Sequence, residues 1–456
     1  MATQYKCAEC GKTFKKWVGK CNNCNEYSSL EEVEVAEAPV ARDGVKTAAR
    51  LPSTAAKSIS NTNRKVDRFE TGIRELDRVL GGGFVHSGVA LLGGEPGAGK
   101  STLALRVSEI FANSGKKVLY ASGEESVEQI SIRADRMGVT NEDILLVHTA
   151  SLDEILGQIT TEKPELFIVD SLQAIASSSL TGSVGSVQQS REAAHALNRI
   201  AKETQTRAIL INQITKDGDF AGPEAIQHVV DVSLLLEGSR ESPLKFLRTL
   251  KNRFGSTDEV GIFQHSDTGL EEVLDPTGML TEDSDNALAS GASYTIASEG
   301  LRQLPVEVQA LVTPSTLPNP RKQFNGVQMS RGQIICAILD KFCKTNLAEY
   351  DVFASTMFGV KLLDPISDLA VAAAILSSRE DTSQSERIAY IGELSLTGQV
   401  RGAHRISQKI AEAARGGFAK IVIPHSALKQ LPKGKQDIEV VTVKTVKDLR
   451  RIVVES

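Results

Sequence analysis

The chain has 456 residues, more than one hydrophobic core usually organises, so roughly two or three folded regions are expected. Apolar residues make up 41% and charged residues 24%, which excludes wholesale disorder, and no apolar run approaches the ~20 residues that span a bilayer. The net charge of -5 excludes a protein that coats nucleic acid through its overall charge, although it leaves room for local basic stripes. The N-terminus has no apolar signal region, so the expected compartment is the cytoplasm.

Four of the six cysteines lie near the N-terminus, in the two pairs CAEC and CNNC. They are Cys7, Cys10, Cys21 and Cys24. Four thiolates at this spacing suit tetrahedral Zn²⁺ and leave no open coordination position, which favours a structural site over a catalytic one. Residues 1–28 are therefore predicted to be a zinc-binding module. Residues 29–65, which are rich in small and polar residues and contain two prolines, are predicted to be a linker.

Residues 66–275 are predicted to form an α/β domain with a mainly parallel sheet that helices cover on both faces. The short apolar runs VALLGG, KVLYAS, ELFIVDS and RAILINQ alternate with segments of helical period. This alternation is typical of strands that are buried on both sides.

The segment GEPGAGKS fits the pattern GxxxxGK[ST]; it follows the apolar run VALLG and precedes the helical TLALRVSEIF. Such a loop binds the phosphates of ATP through backbone N–H groups and the positive end of the following helix, while its serine binds Mg²⁺. The sequence therefore predicts ATP and Mg²⁺ as ligands. The predicted binding residues are Gly94, Glu95, Pro96, Gly97, Ala98, Gly99, Lys100, Ser101 and Thr102.

Three polar residues stand at the ends of apolar runs near this loop. Asp170 ends LFIVD and is predicted to complete the magnesium site. Glu124 in YASGEES is predicted to orient the attacking water, with Glu125 as the adjacent alternative. Gln213 ends AILINQ and is predicted to sense the γ-phosphate; an amide that satisfies local backbone is the alternative.

Residues 286–456 are predicted to form a second, α+β domain. Strands are predicted at ASYTIAS, VEVQALVTP, RIAYIGEL and AKIVIP, and helices at RGQIICAILDKFC and SDLAVAAAILSSR. Cys336 and Cys343 lie seven apart in the first of these helices, which places them on nearly one face. They are predicted to be small core residues.

The motifs TGIRELDRVLGGG, SGEES, KNRFG and GELSLTGQVR, together with the N-terminal cysteines, resemble the bacterial RadA (Sms) family of RecA-like, DnaB-helicase-related recombination ATPases. The resemblance implies a DNA-stimulated ATPase that acts as a ring-shaped motor on single-stranded DNA and promotes branch migration of RecA-mediated strand exchange. The implied partners are single-stranded and branched DNA, RecA filaments or replication and repair proteins, and further copies of the chain in a hexameric ring at the nucleoid. The sequence departs from the family at Gln213, where a histidine is expected.

The resemblance also implies roles for residues that local pattern leaves open. Lys251 and Arg253 in KNRFG are implied to reach a neighbouring subunit's phosphates, although the segment alone is typical of a solvated turn. The segments SSSLTGSVGSVQQSR and TKDGDFAGP resemble the central-channel loops of RecA-like motors, which makes Gln188, Arg191 and Lys216 candidates for DNA contact. Plain surface loops are the alternative.

The segments DPISDLAVAAA and GELSLTGQVRGAHRISQKI resemble the two stretches of the Lon protease domain that carry its serine and lysine. Here the serine is displaced to Ser367, and Ser407 stands where the lysine would fall, so peptide hydrolysis is not expected. Arg401, Arg405 and Lys409 are predicted to form a basic surface for DNA, or else a solvated helix face.

Two other functions compete with the motor. One is a regulatory ATP-dependent protease or chaperone adaptor, which the missing serine and lysine disfavour. The other is a KaiC-like signalling ring in which nucleotide state controls partner binding without DNA translocation. A failure of single-stranded DNA to stimulate ATP turnover would favour this second alternative.

Overall fold

The structure is a computed structural model, and it divides into two compact units, Met1–Arg64 and Lys65–Ser456. The residues that it describes are 2–7, 13–14, 17, 19, 30–35, 67–178, 183–213, 224–238, 243–266, 268–281, 289–402, 404–431 and 437–455.

In the first unit, β1 (Ala2–Cys7) is the middle strand of a small sheet and pairs antiparallel with β2 (Thr13–Phe14) and β3 (Leu30–Val35). The prediction of a linker over 29–65 was therefore wrong for residues 30–35. Their sequence, LEEVEV, alternates charged and β-branched residues at its end, a pattern that suits an edge strand.

The second unit begins with a nine-stranded sheet and its helices. A separate two-stranded ribbon, β4 (Arg68–Phe69) and β5 (Phe84–Val85), precedes it in the chain. The nine strands of the sheet are β6 (Val89–Gly94), β7 (Val118–Ser122), β8 (Ile144–His148), β9 (Leu166–Asp170), β10 (Arg207–Gln213), β11 (Val232–Glu237), β12 (Leu244–Asn252), β13 (Val260–Ser266) and β14 (Gly269–Glu272). Its helices are α1 (Arg74–Leu80), α2 (Lys100–Asn113), α3 (Val127–Met137), α4 (Leu152–Glu162), α5 (Val187–Thr204), α6 (Glu224–Gln227) and α7 (Pro276–Thr281).

The strand order of this sheet is β14-β13-β12-β11-β6-β10-β9-β7-β8. The strands from β11 to β8 are all parallel, and β12, β13 and β14 extend the sheet antiparallel. Separate apolar clusters cover the two faces, and every residue of β6 and β7 is buried. This confirms the four predicted apolar strands, which are continuous in hydrophobicity because neither face meets water.

Helix α3 has well-defined ends that fix the chain just after β7. The Ser126 side chain accepts a hydrogen bond from the backbone N–H of Gln129, and the Gln129 side chain accepts one from the backbone N–H of Ser126, a capping box. The helix ends at Gly138, which has φ 73° and closes the last turn in the left-handed conformation. As a result, the loop that carries Glu124 and Glu125 is held at both sides.

The remainder of the second unit forms a seven-stranded sheet, in the order β17-β18-β16-β15-β19-β22-β23, and a short two-stranded ribbon, β20-β21. Its strands are β15 (Ala292–Glu299), β16 (Arg302–Pro314), β17 (Lys322–Asn325), β18 (Tyr350–Thr356), β19 (Ile388–Tyr390), β20 (Glu393–Leu394), β21 (Val400–Arg401), β22 (Lys420–Pro424) and β23 (Glu439–Val443). Its helices are α8 (Met329–Cys343), α9 (Asp368–Glu380), α10 (Ile406–Arg415) and α11 (Val446–Glu455).

Helix α9 is the centre of this second layer, since every residue from Asp368 to Ser377 is buried. It packs against β15 and β16 on one side and against α8 and α11 on the other. Cys336 and Cys343 are buried in the same cluster, as predicted. Burial raises the pKa of the Cys336 thiol to about 11, so this thiol stays neutral and acts as a core residue.

The turn between β15 and β16 joins the two sheets. Arg302 donates to the buried carboxylate of Glu75, and Glu299 forms an ion pair of 2.6 Å with Arg248. Apolar residues of β12 and β13 belong to the same core cluster as residues of β16. The antiparallel edge of the first sheet therefore shares a core cluster with the second sheet. No helix in the described parts of the chain is long and apolar enough to cross a membrane.

Candidate nucleotide site

The loop between β6 and α2 has the shape that phosphate binding requires. Gly97 and Gly99 have φ values of 80° and 104°, which only glycine adopts without strain. A Cβ atom on Gly94 would lie 2.6 Å from the carbonyl oxygen of Leu236, so a side chain there would push β6 away from β11. The loop residues Glu95 to Gly97 are exposed, while α2 begins directly at Lys100. Backbone N–H groups and a helix N-terminus thus lie at one open position.

A cleft of about 270 Å³ opens at this loop. Its lining combines the loop with the ends of β7, β9 and β10 and with one residue from β13. The lining residues are Pro96, Gly97, Gly99, Lys100, Ser101, Thr102, Ser122, Glu124, Glu125, Arg133, Asp170, Gln213 and His265. The carboxyl ends of parallel strands are where α/β sheets bind ligands.

Lys100 lies at the base of the cleft and is 7% exposed. Its ammonium group donates to the backbone carbonyls of Gly94, at 2.8 Å, and Glu95, at 2.9 Å. Burial lowers the pKa of Lys100, and the nearby carboxylates of Asp170 and Glu124 partly oppose this. A phosphate group would offer this cation a stronger acceptor than the two carbonyls do.

Asp170 is held in place by a buried tyrosine on the neighbouring strand. The hydroxyl of Tyr120 donates to Asp170 Oδ2 at 2.6 Å. Burial and the carboxylate together raise the pKa of Tyr120, so the phenol stays neutral and keeps its proton for this hydrogen bond. Tyr120 therefore fixes the orientation of a carboxylate that faces the loop.

The structure brings Glu124 and Gln213 together, although they are 89 residues apart in the chain. The Gln213 amide donates to Glu124 Oε2 at 3.1 Å, and the Ser171 hydroxyl donates to Glu124 Oε1. Gln173 holds the end of β10, because its amide bonds both the N–H and the C=O of Gln213, at 3.1 and 2.8 Å. The predicted water-orienting carboxylate and the predicted sensor are thus directly coupled.

Glu125 is directed elsewhere, toward Arg133 of α3, with which it forms an ion pair. Arg133 and His265 line the cleft but were not predicted from the sequence. Arg133 follows Glu125 by two helical turns, a spacing that carries no recognisable signature. His265 enters from β13, on the opposite side of β6 from β7, β9 and β10. No local pattern could have placed it here.

Comparison with known proteins identifies the family. Residues 56–219 match the AAA domain family, residues 361–427 match a family described as subunit ChlI of Mg-chelatase, and residues 5–32 match the rubredoxin metal binding domain. The chain is 42% identical over 441 residues to the DNA repair protein RadA of Streptococcus pyogenes, with 96% of each chain covered. It is 38% identical over 450 residues to that of Bacillus subtilis, with 98% of each covered. The chain belongs to the RadA family.

Family membership and the AAA domain match support ATP hydrolysis by this chain. Among solved structures, the chain is similar to a KaiC-like protein from Pyrococcus horikoshii, with 20% sequence identity and a TM-score of 0.39. That similarity covers 46% of this chain and 100% of the other.

The two cations of the RadA-family KNRFG segment lie away from the cleft of their own chain. Lys251 donates to the carbonyls of Gln227, His228 and Val230, at 2.7, 3.2 and 2.7 Å. Burial lowers the pKa of Lys251, and the adjacent Arg253 lowers it further. The Arg253 side chain is 53% exposed and pairs with Asp231 at 3.1 Å. Arg253 is the more accessible of the two.

Of the six residues predicted to contact DNA, only some are accessible. Gln188 and Arg191 are exposed at the start of α5, and Arg401 is exposed on β21. Arg405 is half-buried and donates to the carbonyl of Gly300. Lys216 lies outside the described residues.

The prediction that Lys409 belongs to a basic surface was wrong. Its side chain is fully buried, and its ammonium group donates to the Ile296 carbonyl and, at 2.8 Å, to the Ser298 hydroxyl. Lys409 shares the inner face of α10 with Ile406 and Ile410. The helix must bury this face against the sheet, so the lysine is buried with it.

Ser367 and Ser407, the two serines at the positions compared with the Lon protease domain, lie in different surroundings. Ser367 is buried in the turn before α9, and its hydroxyl has no hydrogen-bond partner among the described residues. Ser407 is exposed and donates to the Gln430 carbonyl at 3.3 Å. Within the described parts of the chain, neither hydroxyl is paired with a basic side chain. In the first unit, Cys7 belongs to β1, but the side chains of Cys7, Cys10, Cys21 and Cys24 lie outside the described residues.

Proposed function

We propose that this RadA-family protein is a DNA-stimulated ATPase that works as a ring-shaped motor on single-stranded DNA and promotes branch migration of RecA-mediated strand exchange. The observation that supports it most directly is the convergence of Lys100, Asp170, Glu124 and Gln213 at one cleft beside the phosphate-binding loop. These residues come from α2, from the ends of β9 and β10 and from the loop after β7, and they provide a cation, two carboxylates and an amide at one place.

The cleft suits MgATP. Ser101 and Asp170 supply a hydroxyl and a carboxylate oxygen at one end, and oxygen ligands are the ones that Mg²⁺ prefers. Bound there, Mg²⁺ would neutralise charge on the β- and γ-phosphates. Lys100 would exchange its two loop carbonyls for phosphate oxygens.

Glu124 is the group we assign to orient the attacking water. Its carboxylate is held by Gln213 and Ser171, whereas Glu125 is engaged by Arg133. In this arrangement, a γ-phosphate that pulled on the Gln213 amide would also shift Glu124. Gln213 would thereby report the presence of the γ-phosphate to the loop that follows β10.

Hydrolysis is proposed to require a second copy of the chain. Neither Lys251 nor Arg253 lines the cleft of its own chain, and Arg253 is largely exposed. We propose that both residues act at a neighbour's nucleotide in a hexameric ring, with Arg253 stabilising charge on the transferring phosphoryl group. Lys251 would first have to leave the three carbonyls that hold it.

DNA is proposed to bind by its backbone, in the cytoplasm at the nucleoid. The exposed Gln188 and Arg191 at the start of α5 are the described residues that best suit a channel loop, with Lys216 beyond β10 and Arg401 as further candidates. Contacts to phosphates without base recognition are tolerant of sequence and weaken as salt rises. Branched DNA and RecA filaments or other replication and repair proteins are the proposed partners.

The N-terminal unit is proposed to bind Zn²⁺ through its four cysteines, which lie within the region that matches the rubredoxin metal binding domain. The C-terminal sheet is proposed to be a scaffold without peptidase activity. Zinc content of the purified chain, compared with a Cys7→Ser, Cys10→Ser variant, tests the first statement, and casein degradation tests the second.

The motor proposal is tested by the rate of ATP hydrolysis with and without single-stranded DNA. The wild-type chain should be stimulated by DNA. Arg253→Ala should retain ATP binding but lose DNA-stimulated turnover, and mixing it with Lys100→Ala chains should restore part of the activity, because each variant supplies what the other lacks at the shared boundary. Full turnover by Arg253→Ala alone would overturn the role in a neighbouring subunit. Wild-type turnover that DNA does not change would overturn the motor.

A further inference from the structure

Arg133 is a cation in the nucleotide cleft with no role in the mechanism described above. It lies on α3, which begins just after Glu124 and Glu125, and it lines the cleft together with Lys100 and Asp170. About a fifth of its side chain is open to solvent, at 22% exposure. It therefore faces the same space as the residues proposed to act on the phosphates.

The hydrogen bonding of Arg133 is incomplete among the described residues. One guanidinium nitrogen, Nη2, donates to Glu125 Oε1. The other, Nη1, is buried and has no hydrogen-bond partner among the described residues. A buried N–H group without an acceptor is destabilising, so Nη1 would gain a hydrogen bond if a phosphate oxygen came within reach.

Arg133 lies close to the residues that we propose to hold magnesium. Its positive charge acts on the Tyr120 phenol, which is the donor to Asp170. Its partner Glu125 is held by two backbone contacts, since its N–H donates to the Ser122 hydroxyl at 2.9 Å and its carbonyl accepts from His148 at 2.8 Å. Glu125 is therefore a fixed point that holds the guanidinium.

We propose that Arg133 is a nucleotide-contacting residue supplied by the chain itself, which keeps its contact with Glu125 through Nη2 and donates from Nη1 to a terminal phosphate oxygen when MgATP binds. Glu125 is then a positioning residue that keeps the guanidinium at the mouth of the cleft. Arginine suits this role because its planar group can keep one N–H on a carboxylate while another reaches a phosphate. The inference rests on the proposed hydrolysis of ATP at this cleft.

The test uses the full chain and isothermal titration with the non-hydrolysable analogue AMP-PNP and with ADP, each with Mg²⁺. Arg133→Gln should weaken the affinity for AMP-PNP by about tenfold or more, the loss of one charge-assisted hydrogen bond, and the affinity for ADP by much less. Arg133→Lys should recover part of the loss, because it keeps the charge without the planar donor pair. Arg136→Gln is the matched control, since Arg136 is exposed in the last turn of the same helix and outside the cleft.

The double variant Glu125→Gln, Arg133→Gln distinguishes nucleotide contact from a purely structural role of Arg133. If Arg133 only neutralised Glu125, removing both charges would restore AMP-PNP affinity and the thermal midpoint to wild-type values, and this result would overturn the proposal. Equal AMP-PNP affinity for Arg133→Gln and Arg136→Gln would overturn it as well. If Arg133→Gln failed to fold, the AMP-PNP to ADP affinity ratio of Arg133→Lys would decide, an unchanged ratio counting against the contact. A wild-type chain that hydrolyses no ATP would refute the proposed function instead.

Discussion

Lys100 of α2 and Lys409 of α10 are both buried lysines, but only Lys100 opens onto a cleft. Lys100 is 7% exposed and Lys409 is fully buried, and burial lowers the pKa of both. Lys100 bonds to two carbonyls of an exposed loop and opens on a cleft that also contains Asp170 and Glu124. Lys409 bonds to Ile296 and Ser298 within a closed interior. Burial of a cation is therefore not enough to identify a functional site; an open space with room for an anion is also needed.

The largest expected effect is a difference in ATP turnover between variants of the two lysines. Lys100→Ala should abolish ATP binding or lower turnover by at least about 100-fold, because it removes a preorganised cation from the phosphate site. Lys409→Met is the matched control, and it should keep wild-type turnover at 25 °C. The measurement is steady-state ATP hydrolysis of both variants with single-stranded DNA. Similar losses in the two variants would show that the C-terminal lysine also serves the nucleotide site.

The next effect distinguishes Glu124 from Glu125 as the residue that orients the attacking water. Glu124→Gln should lower turnover by about 100-fold or more while leaving ATP affinity near the wild-type value, since a group that orients the attacking water acts in the transition state. Glu125→Gln should cost less than about tenfold, because it removes the charge of the ion pair with Arg133 but keeps a side-chain oxygen that can accept from it. Single-turnover hydrolysis and equilibrium binding measure the two quantities separately. The reverse order of the two variants would exchange their roles.

A smaller effect concerns the dependence of stability on pH. Burial lowers the pKa of Lys409 from its ordinary 10.5 to about 8. Between these pH values the unfolded chain binds a proton that the folded chain does not, so this residue makes the free energy of unfolding rise with pH by up to about 3 kcal/mol. Below pH 8 both states are protonated and the gain is absent.

Urea unfolding at pH 7.5 and pH 10 of the wild-type chain and of Lys409→Met checks this. The difference between the two unfolding free energies should move in favour of the wild-type chain as the pH rises. Because all other titrating groups are common to both proteins, an equal difference at the two pH values would mean that Lys409 keeps its charge or reaches water.

The smallest effect concerns how Tyr120 orients the Asp170 carboxylate in the cleft that contains Lys100. Tyr120→Phe removes the hydrogen bond to Asp170, which is worth about 1 kcal/mol, and should raise the Mg²⁺ concentration for half-maximal turnover by about fivefold. Tyr390→Phe is the control in the other sheet, where a buried tyrosine bonds to Gln384. A Mg²⁺ dependence that is identical in both variants would rule out Tyr120 as a positioning residue for Asp170.

Much of the fold could be predicted because it depends on local patterns. The runs around Leu91, Tyr120, Ile168 and Leu210 were recognisable as strands since both faces of a parallel sheet are apolar. The phosphate-binding loop was recognisable because glycines and a lysine at fixed spacing suit one geometry. The burial of Lys409 could also have been predicted, because it lies three residues after Ile406 on the apolar face of α10. The basic residues nearby favoured the wrong interpretation of a basic surface.

The remaining features depend on contacts between distant parts of the chain. Sequence alone determined the elements, the loop for phosphate and the carboxylates at strand ends, because these follow from periodicity and from the chemistry of ATP. Only the tertiary structure decided that Gln213 meets Glu124, that Arg133 and His265 enter the cleft, and that Lys409 does not reach the surface. The physical reason is that strand order and helix packing set these distances, and neither is encoded in any short segment.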